Sequence, residues 1–377
     1  MLRKKYLHCL HDDKFIDGAI SLFEEDVRIE NTYILFSRNP RQDSFRLIKN
    51  PKAKIEYVDS FLNCVSNFDV VILHSLGSLP IELIYRIPTP IKVVWLMWGY
   101  DFYNFRICNI RLIGPLSRKT LTLRECARFI KSFILFNLVE KNSYKKTLSR
   151  IDYFSGVFPY EYDLLIHLEH YNSIKAKPID FYYGSTDFFI PEVPQREIDN
   201  RFINVIIGNS GDFGNNTLEA FEILKDSLDS NNVEKIIVPL SYGTNKLFID
   251  KVKQKGKAIW GDKFMPLDTF LPLKEYLDVV SNCKVAVYFH ERQQASDNVL
   301  MQLMYGAKVY MSETSLMYKY LKNMGFHIYS LQKDANTINT PLTNKQIIAN
   351  REILSNHYSS SKLIDRIRVM NNIICNL

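Results

Sequence analysis

Two polar turns, each following an apolar run, hold residue types that grip an anion. Gly208, Asn209, Ser210 and Asp212 follow the run ending at Ile207, and Glu291, Arg292, Gln293, Gln294 and Asn298 follow the run ending at Phe289. Glycine lets backbone approach a phosphate or sugar, and Asn, Gln and Ser supply neutral donors. Each turn opens a helical pattern, and helix N-termini attract anions through free N–H groups and the dipole. Asn215 reads as part of a helix cap, and Asp297 as a cap or a contact to a ribose hydroxyl. At the ends of two neighbouring runs, Ser241, Tyr242 and Phe270 suit the walls of the same pocket, with Phe270 or Phe264 against a nucleobase. The expected ligand carries phosphate. Neither the full GxGxxG fingerprint nor a Gly-Lys-Ser/Thr loop is present, which argues against a nicotinamide cofactor and a P-loop.

A second set suits proton transfer. Asp101 closes Trp98-Gly99-Tyr100-Asp101 at the end of an apolar run, where a carboxylate can accept a hydroxyl proton. His74 also ends a run, and its ordinary pKa fits the same task. An N-cap or an ion pair with Arg106 is the structural alternative for Asp101. Asp13 and Glu291 are lesser candidates as bases. Trp98, Tyr100 and Asp13 are placed on the side of an incoming acceptor, with Trp98 suited to stack on a sugar ring. No Asp-X-Asp occurs, so no metal and no other cofactor is expected. Backbone amides, helix N-termini and basic side chains would then carry the charge of a departing diphosphate.

These residues need strands to hold them. Tyr6–Leu10, Thr32–Phe36, Lys54–Val58, Val70–His74, Lys92–Trp98, Tyr153–Val157 and Asp180–Tyr183 read as buried parallel strands. Helices are predicted over Pro80–Arg86, about Ser117–Ser149, and Tyr160–His170. The pattern fails around Thr186–Asn200, which reads as a linker. It restarts with strands Asn204–Ile207, Lys235–Leu240, Ala258–Trp260, Lys284–Phe289 and Lys308–Met311, and a helix at Asp297–Gly306. Alternation of this kind gives an α/β fold of βαβ units in two domains, 1–185 and 186–377. A final helix, about 361–375, is free to pack back on the first domain.

Length (377 residues) and an ordinary balance of hydrophobic and charged residues fit a globular protein of two or three domains. Six scattered Cys with no CxxC pair fit a reducing compartment. Arg3–Lys5 is followed by too short an apolar stretch for a signal peptide, and no run of apolar residues is long enough to span a bilayer. The net charge of +7 is local: residues 101–150 carry 11 Lys/Arg against 3 acids. Phe129, Phe133, Ile134, Phe136 and Leu138 interleave with those cations, a pattern that predicts contact of 106–150 with an anionic membrane surface. No nucleic-acid motif accompanies it, so nucleic acid is not an expected partner.

WLMWGYDFY (95–103), IIGNSGDFGNN (206–216), VPLSYG (238–243) and RQQ (292–294) together resemble the bacterial 4-acetamido-4,6-dideoxygalactose (Fuc4NAc) transferases, the 4-alpha-L-fucosyltransferase family of enterobacterial common antigen type. His8-Cys9-Leu10 with Asp13, and His74, are weaker echoes in the same order. The resemblance implies a GT-B glycosyltransferase, with two Rossmann-like domains whose parallel sheets face across a cleft. The first domain would bind the acceptor and the second the nucleotide-sugar. It implies transfer of a deoxy- or amino-sugar from a dTDP or UDP donor to a polyprenyl-diphosphate-linked saccharide, in a cytoplasmic protein peripheral on the inner face of the cytoplasmic membrane. Glu291 stands where a small residue is expected, and Ser296-Asp297-Asn298 replaces a glycine-rich continuation, so the donor sugar does not carry over. A transferase with a protein or soluble glycan acceptor, and a sugar-nucleotide epimerase, are the alternatives on this fold.

Overall fold

A computed structural model describes residues 3–106, 109–167, 174–184, 203–243 and 245–376; of 104–106, 109 and 110 it describes only the backbone. The chain forms two compact units, one of residues 1–106, 132–185 and 358–377, the other of 107–131 and 186–357.

In the first unit, β1 (Lys4–Cys9), β2 (Ile29–Ser37), β3 (Ala53–Tyr57), β4 (Val70–Leu73), β5 (Lys92–Leu96), β6 (Tyr153–Ser155) and β7 (Lys177–Pro178) make one sheet. Its order is β3-β2-β1-β4-β5-β6-β7, every pair parallel. The central strand Val70–Leu73 is apolar throughout and wholly buried, as a strand of a parallel sheet covered on both faces must be. The strand expected at Asp180–Tyr183 is shifted. Pairing stops at Pro178, and Phe181 N–H instead donates to the Ser155 hydroxyl at 3.0 Å. The last helix, Ser360–Cys375, buries Leu363, Ile367, Met370 and Ile374 in this unit. Asn371 donates to Asp26 at 3.0 Å, and Arg28 to Asn372 at 2.9 Å.

In the second unit, β8 (Ile203–Ile207), β9 (Val233–Pro239), β10 (Phe264–Leu267), β11 (Cys283–Tyr288), β12 (Lys308–Met311) and β13 (Ile328–Ser330) run parallel in the order β10-β9-β8-β11-β12-β13. Ala258–Trp260, predicted as a strand, is the last turn of the helix Lys246–Trp260, which Asn245 starts by accepting from Phe248 N–H at 2.7 Å. The strand is instead Phe264–Leu267, where Pro266 is tolerated because β10 is an edge. Phe264 therefore sits in the core against Phe221 and Trp260, away from any nucleobase role.

Residues 107–131, assigned by sequence to the first domain, belong to the second unit. Glu219 accepts from Leu116 N–H and Ser117 N–H, both at 2.8 Å, and from the Ser117 hydroxyl at 2.6 Å. Asn216 holds Gly114 N–H at 2.7 Å. The long predicted helix is broken into Pro115–Arg118, Leu123–Leu135, a π-turn at Phe136–Glu140, and Lys141–Arg150. The predicted linker Thr186–Asn200 lies outside the described residues.

In the first unit, Glu161 is fully buried and accepts from the Tyr103 hydroxyl at 2.9 Å and Phe158 N–H at 3.0 Å. Burial pushes its carboxyl from 4.5 up to about 7. The native state thus holds a proton that the unfolded chain releases, and stability falls as pH rises across that window. Glu161→Gln removes this dependence. Thermal melts from pH 5 to 7 are expected to show the parent losing stability relative to the variant, and parallel curves would refute this role.

Candidate functional site

In both units the strand order reverses beside the first strand, between β1 and β4 and between β8 and β11. Open α/β sheets bind ligands beyond the carboxyl ends of their strands at such points.

At the second unit's reversal, the turn after β8 is organised by Asn215, which is 1% exposed. Its side-chain oxygen accepts from Asn209 N–H at 3.2 Å, and its amide donates to the Ser210 hydroxyl oxygen at 2.8 Å and the Ser210 carbonyl at 3.0 Å. Ser210 therefore keeps its own proton to donate. Asp212 caps the next turn by accepting from Gly214 N–H at 2.7 Å. Tyr242 O accepts from Gly211 N–H at 2.5 Å, which brings Ser241-Tyr242-Gly243 alongside. Gly243 (φ 140°) is required there, because a Cβ would lie 2.6 Å from Gly211 O. Tyr242 and Phe270 form an exposed edge-to-face pair 5.8 Å apart.

The turn after β11 meets this one directly: the Gln294 amide donates to Asn209 Oδ1 at 2.9 Å. Gln294 is 8% exposed, and its Oε1 has no hydrogen-bond partner among the described residues. A Cβ on Gly214 would lie 3.6 Å from both Arg292 Nε and Gln294 Oε1, so glycine leaves room beside these polar groups. Arg292 makes no ion pair among the described residues. The helix Ser296–Tyr305 begins at Ala295, a non-glycine at φ 58°, with no side chain capping its N-terminus. Gln293 reaches Ser296 at 3.4 Å. Two predicted members point elsewhere. Glu291 accepts from Ser312 at 2.7 Å and from Thr314, at the end of β12. Asn298 accepts from the Tyr276 hydroxyl at 3.2 Å. His290, absent from the sequence reading, is fully buried, with no hydrogen bond at either nitrogen among the described residues, and burial holds its pKa down at about 3.

At the first unit's reversal a buried chain of rings can be assigned atom by atom. The Asn31 amide donates to Phe23 O at 3.2 Å and to Glu24 at 3.4 Å, which turns its oxygen toward His8. His8 Nε2–H donates to that oxygen at 3.0 Å. A neutral His8 then accepts at Nδ1 from His74 Nε2–H, also at 3.0 Å. His74 in turn accepts at Nδ1 from the Tyr183 hydroxyl at 2.7 Å. Burial lowers the pKa of both imidazoles, so both stay neutral. His74, expected as a proton acceptor, has both nitrogens engaged and is 1% exposed.

Asp101 fits that task no better. It is fully buried, and it accepts from Trp98 N–H at 2.9 Å, Leu76 N–H at 2.9 Å and the Trp95 indole at 2.7 Å. Burial outweighs these donors and raises its pKa. The carboxylate is an anchor that joins the turns after β4 and β5. Its partner turn is strained: Ser75 has φ 101°, and its hydroxyl lies 2.8 Å from that of Tyr100. The half-buried Asp13 is the open acid here. The only hydrogen bond to its carboxylate among the described residues is Phe15 N–H to Oδ1 at 3.1 Å. Next to it, Trp98 packs edge-on against His11 at 4.5 Å and Tyr183 at 4.7 Å. Both His11 nitrogens and Trp98 Nε1 lack hydrogen-bond partners among the described residues. His11 is absent from the sequence reading, and no motif in the sequence marks it.

A family model described as 4-alpha-L-fucosyltransferase glycosyl transferase group 56 matches residues 153–351, more than half the chain. The chain belongs to that family. It is therefore a hexosyl-transferring glycosyltransferase. Among solved structures it is similar to HepE of Anabaena in complex with UDP, at 10% identity and TM-score 0.64, over 97% of this chain and 98% of that one. It is also similar to alpha,alpha-trehalose 6-phosphate synthase from Burkholderia multivorans, at 7% identity and TM-score 0.62, over 98% and 96%. The fold shared by this fucosyltransferase-family chain and these enzymes is GT-B.

Asp101→Asn replaces one acceptor oxygen with an amide, so at least one of the three donors loses its partner inside the core. A loss of about 1–3 kcal/mol is expected. Urea unfolding measures it, and an unchanged midpoint would remove Asp101 as the anchor.

Proposed function

We propose that this fucosyltransferase-family enzyme moves a deoxy- or amino-sugar, Fuc4NAc-like, from a dTDP or UDP donor to a saccharide carried on polyprenyl diphosphate. It would work at the inner face of the cytoplasmic membrane, with the cationic stretch 106–150 toward anionic lipid. The observation that carries the donor half is the Gln294–Asn209 bond, which holds the turns after β8 and β11 together beside Arg292 and an uncapped helix N-terminus. UDP bound to the GT-B enzyme HepE agrees with a nucleoside-diphosphate donor.

In this reading the second unit holds the donor. Arg292, the Ser210 hydroxyl and the first N–H groups of Ser296–Tyr305 donate to the diphosphate, and Tyr242 and Phe270 flank the base. The bond from the anomeric carbon to the phosphate oxygen breaks, and the nucleoside diphosphate leaves with the electron pair. The reaction class asks for no redox cofactor, and we assign the neutralisation of the leaving charge to protein groups. The first unit holds the acceptor, its sugar against Trp98 and Tyr100. We assign acceptance of the hydroxyl proton to Asp13, the acid at that end of the sheet with an unengaged oxygen, in place of Asp101 and His74.

dTDP or UDP is expected to raise the melting temperature, and NAD to leave it unchanged. Arg292→Ala should weaken the nucleotide shift and raise the donor KM roughly tenfold or more. Asp13→Asn should lower kcat about a hundredfold or more at similar donor KM. EDTA should leave turnover intact. Absence of any nucleotide shift would overturn the donor assignment, and full turnover by Asp13→Asn would overturn the base.

A further inference from the structure

On the first unit, the chain from Ser132 to Arg150 has two unlike sides. Its inner side is tightly held. Tyr144, Thr147 and Leu148 are buried, the Thr147 hydroxyl donates to Ile81 O at 3.1 Å, and Arg150 donates to Ile87 O and Pro88 O, both at 2.8 Å. Its outer side carries Phe133, Ile134, Leu135, Leu138 and Val139, between 43% and 80% exposed.

Helical spacing builds this ridge: Leu138 and Val139 lie four residues beyond Ile134 and Leu135, on the same face, and all four are exposed. A π-turn at Phe136–Glu140 interrupts it, with Phe136 5.7 Å from Tyr144 on the inner side. Such insertions recur at functional places, since an unfavourable turn persists where it serves a purpose. Single exposed apolar residues are ordinary, but a contiguous group of five is not.

Beyond the ridge, an open groove of about 550 Å³ is lined by Tyr85, Asn142, Lys145, Lys146, Ser149 and Arg150. Lys146 Nζ lies 5.6 Å over the Tyr85 ring. Lys145 and Lys146 are exposed and form no ion pair among the described residues. Arg150 is neutralised by Asp152 at 2.9 Å, which leaves the two lysines as the groove's uncompensated charges.

We propose that the ridge 133–139 inserts into the headgroup layer of an anionic bilayer, and that the Lys145–Lys146 groove receives a phosphate-bearing lipid headgroup. The inference deepens the reading of a lipid-carried acceptor and rests on it for the reason the enzyme meets a membrane. Apolar side chains flanked by lysines match both parts of such a surface: the acyl boundary takes the ridge, and lipid phosphates take the cations. An apolar protein surface would match the ridge but leave both lysines without a counter-charge.

Co-sedimentation with vesicles of three parts phosphatidylcholine to one part phosphatidylglycerol tests this on the full chain. Leu138→Asp with Val139→Asp, and separately Lys145→Glu with Lys146→Glu, should each lower the bound fraction about tenfold or more. The parent should bind pure phosphatidylcholine weakly. Turnover with a water-soluble acceptor analogue should be unchanged in both variants, which separates this inference from the catalytic reading. Leu138→Ser with Val139→Ser, checked by its melting temperature, guards against misfolding. Parent-like vesicle binding by the variants would overturn the proposal. So would self-association of the parent that the ridge variant abolishes, or inorganic phosphate in the groove with vesicle binding unaffected by the lysine changes.

Discussion

The hydrogen bond from Gln294 to Asn209 joins the two turns that flank the strand reversal of the second unit. Strand order alone leaves a crevice there, but a crevice between unlinked turns would not hold its donors in place. Gln294 is buried, so its amide needs a partner, and an unmet donor there would cost about 1–3 kcal/mol. The same requirement runs inward: Asn209 N–H leans on Asn215, and Asn215 holds Ser210. The result is two turns held in fixed positions, which is what the proposed stabilisation of a departing anion asks of them.

The first unit repeats the topology with different chemistry. Its reversal is filled by rings. Asn31, His8, His74 and Tyr183 form a directional chain whose tautomers follow from one fixed carboxamide. Burial lowers both imidazole pKa values and raises that of Tyr183, so each shift opposes proton movement along the chain. The chain is a scaffold. It fixes Tyr183 and, through ring packing, Trp98 and His11.

Much of the sheet was legible because buried parallel strands are continuous apolar runs: Lys308–Met311 falls where its sequence places it. Ala258–Trp260 was not legible, because three apolar residues carry no period that tells a helix end from a strand. Pro266 masked the true edge strand. The turns after β8 and β11 were legible as polar interruptions, and their joining is visible only in three dimensions. Asp101 and His74 were singled out for residue type and position. Sequence does not reveal that three donors converge on one carboxylate or that both nitrogens of one imidazole are engaged. Nothing in the sequence marks Glu219 either, because its partners Leu116 and Ser117 lie in another segment.

The two reversals share one further trait. Ser75, after β4, and Ala295, after β11, are non-glycine residues at φ 101° and 58°. Such conformations cost of order 1–3 kcal/mol and persist where surrounding contacts impose them. At Ser75 the imposing contact is Asp101, which holds Leu76 N–H from the turn after β5. At Ala295 it is Gln294, fixed one residue earlier to the turn after β8. In each unit a buried polar side chain therefore bends the turn on the far side of the reversal against its own preference. Strain confined to the strand ends of a rigid sheet shapes the surface there without loosening the core.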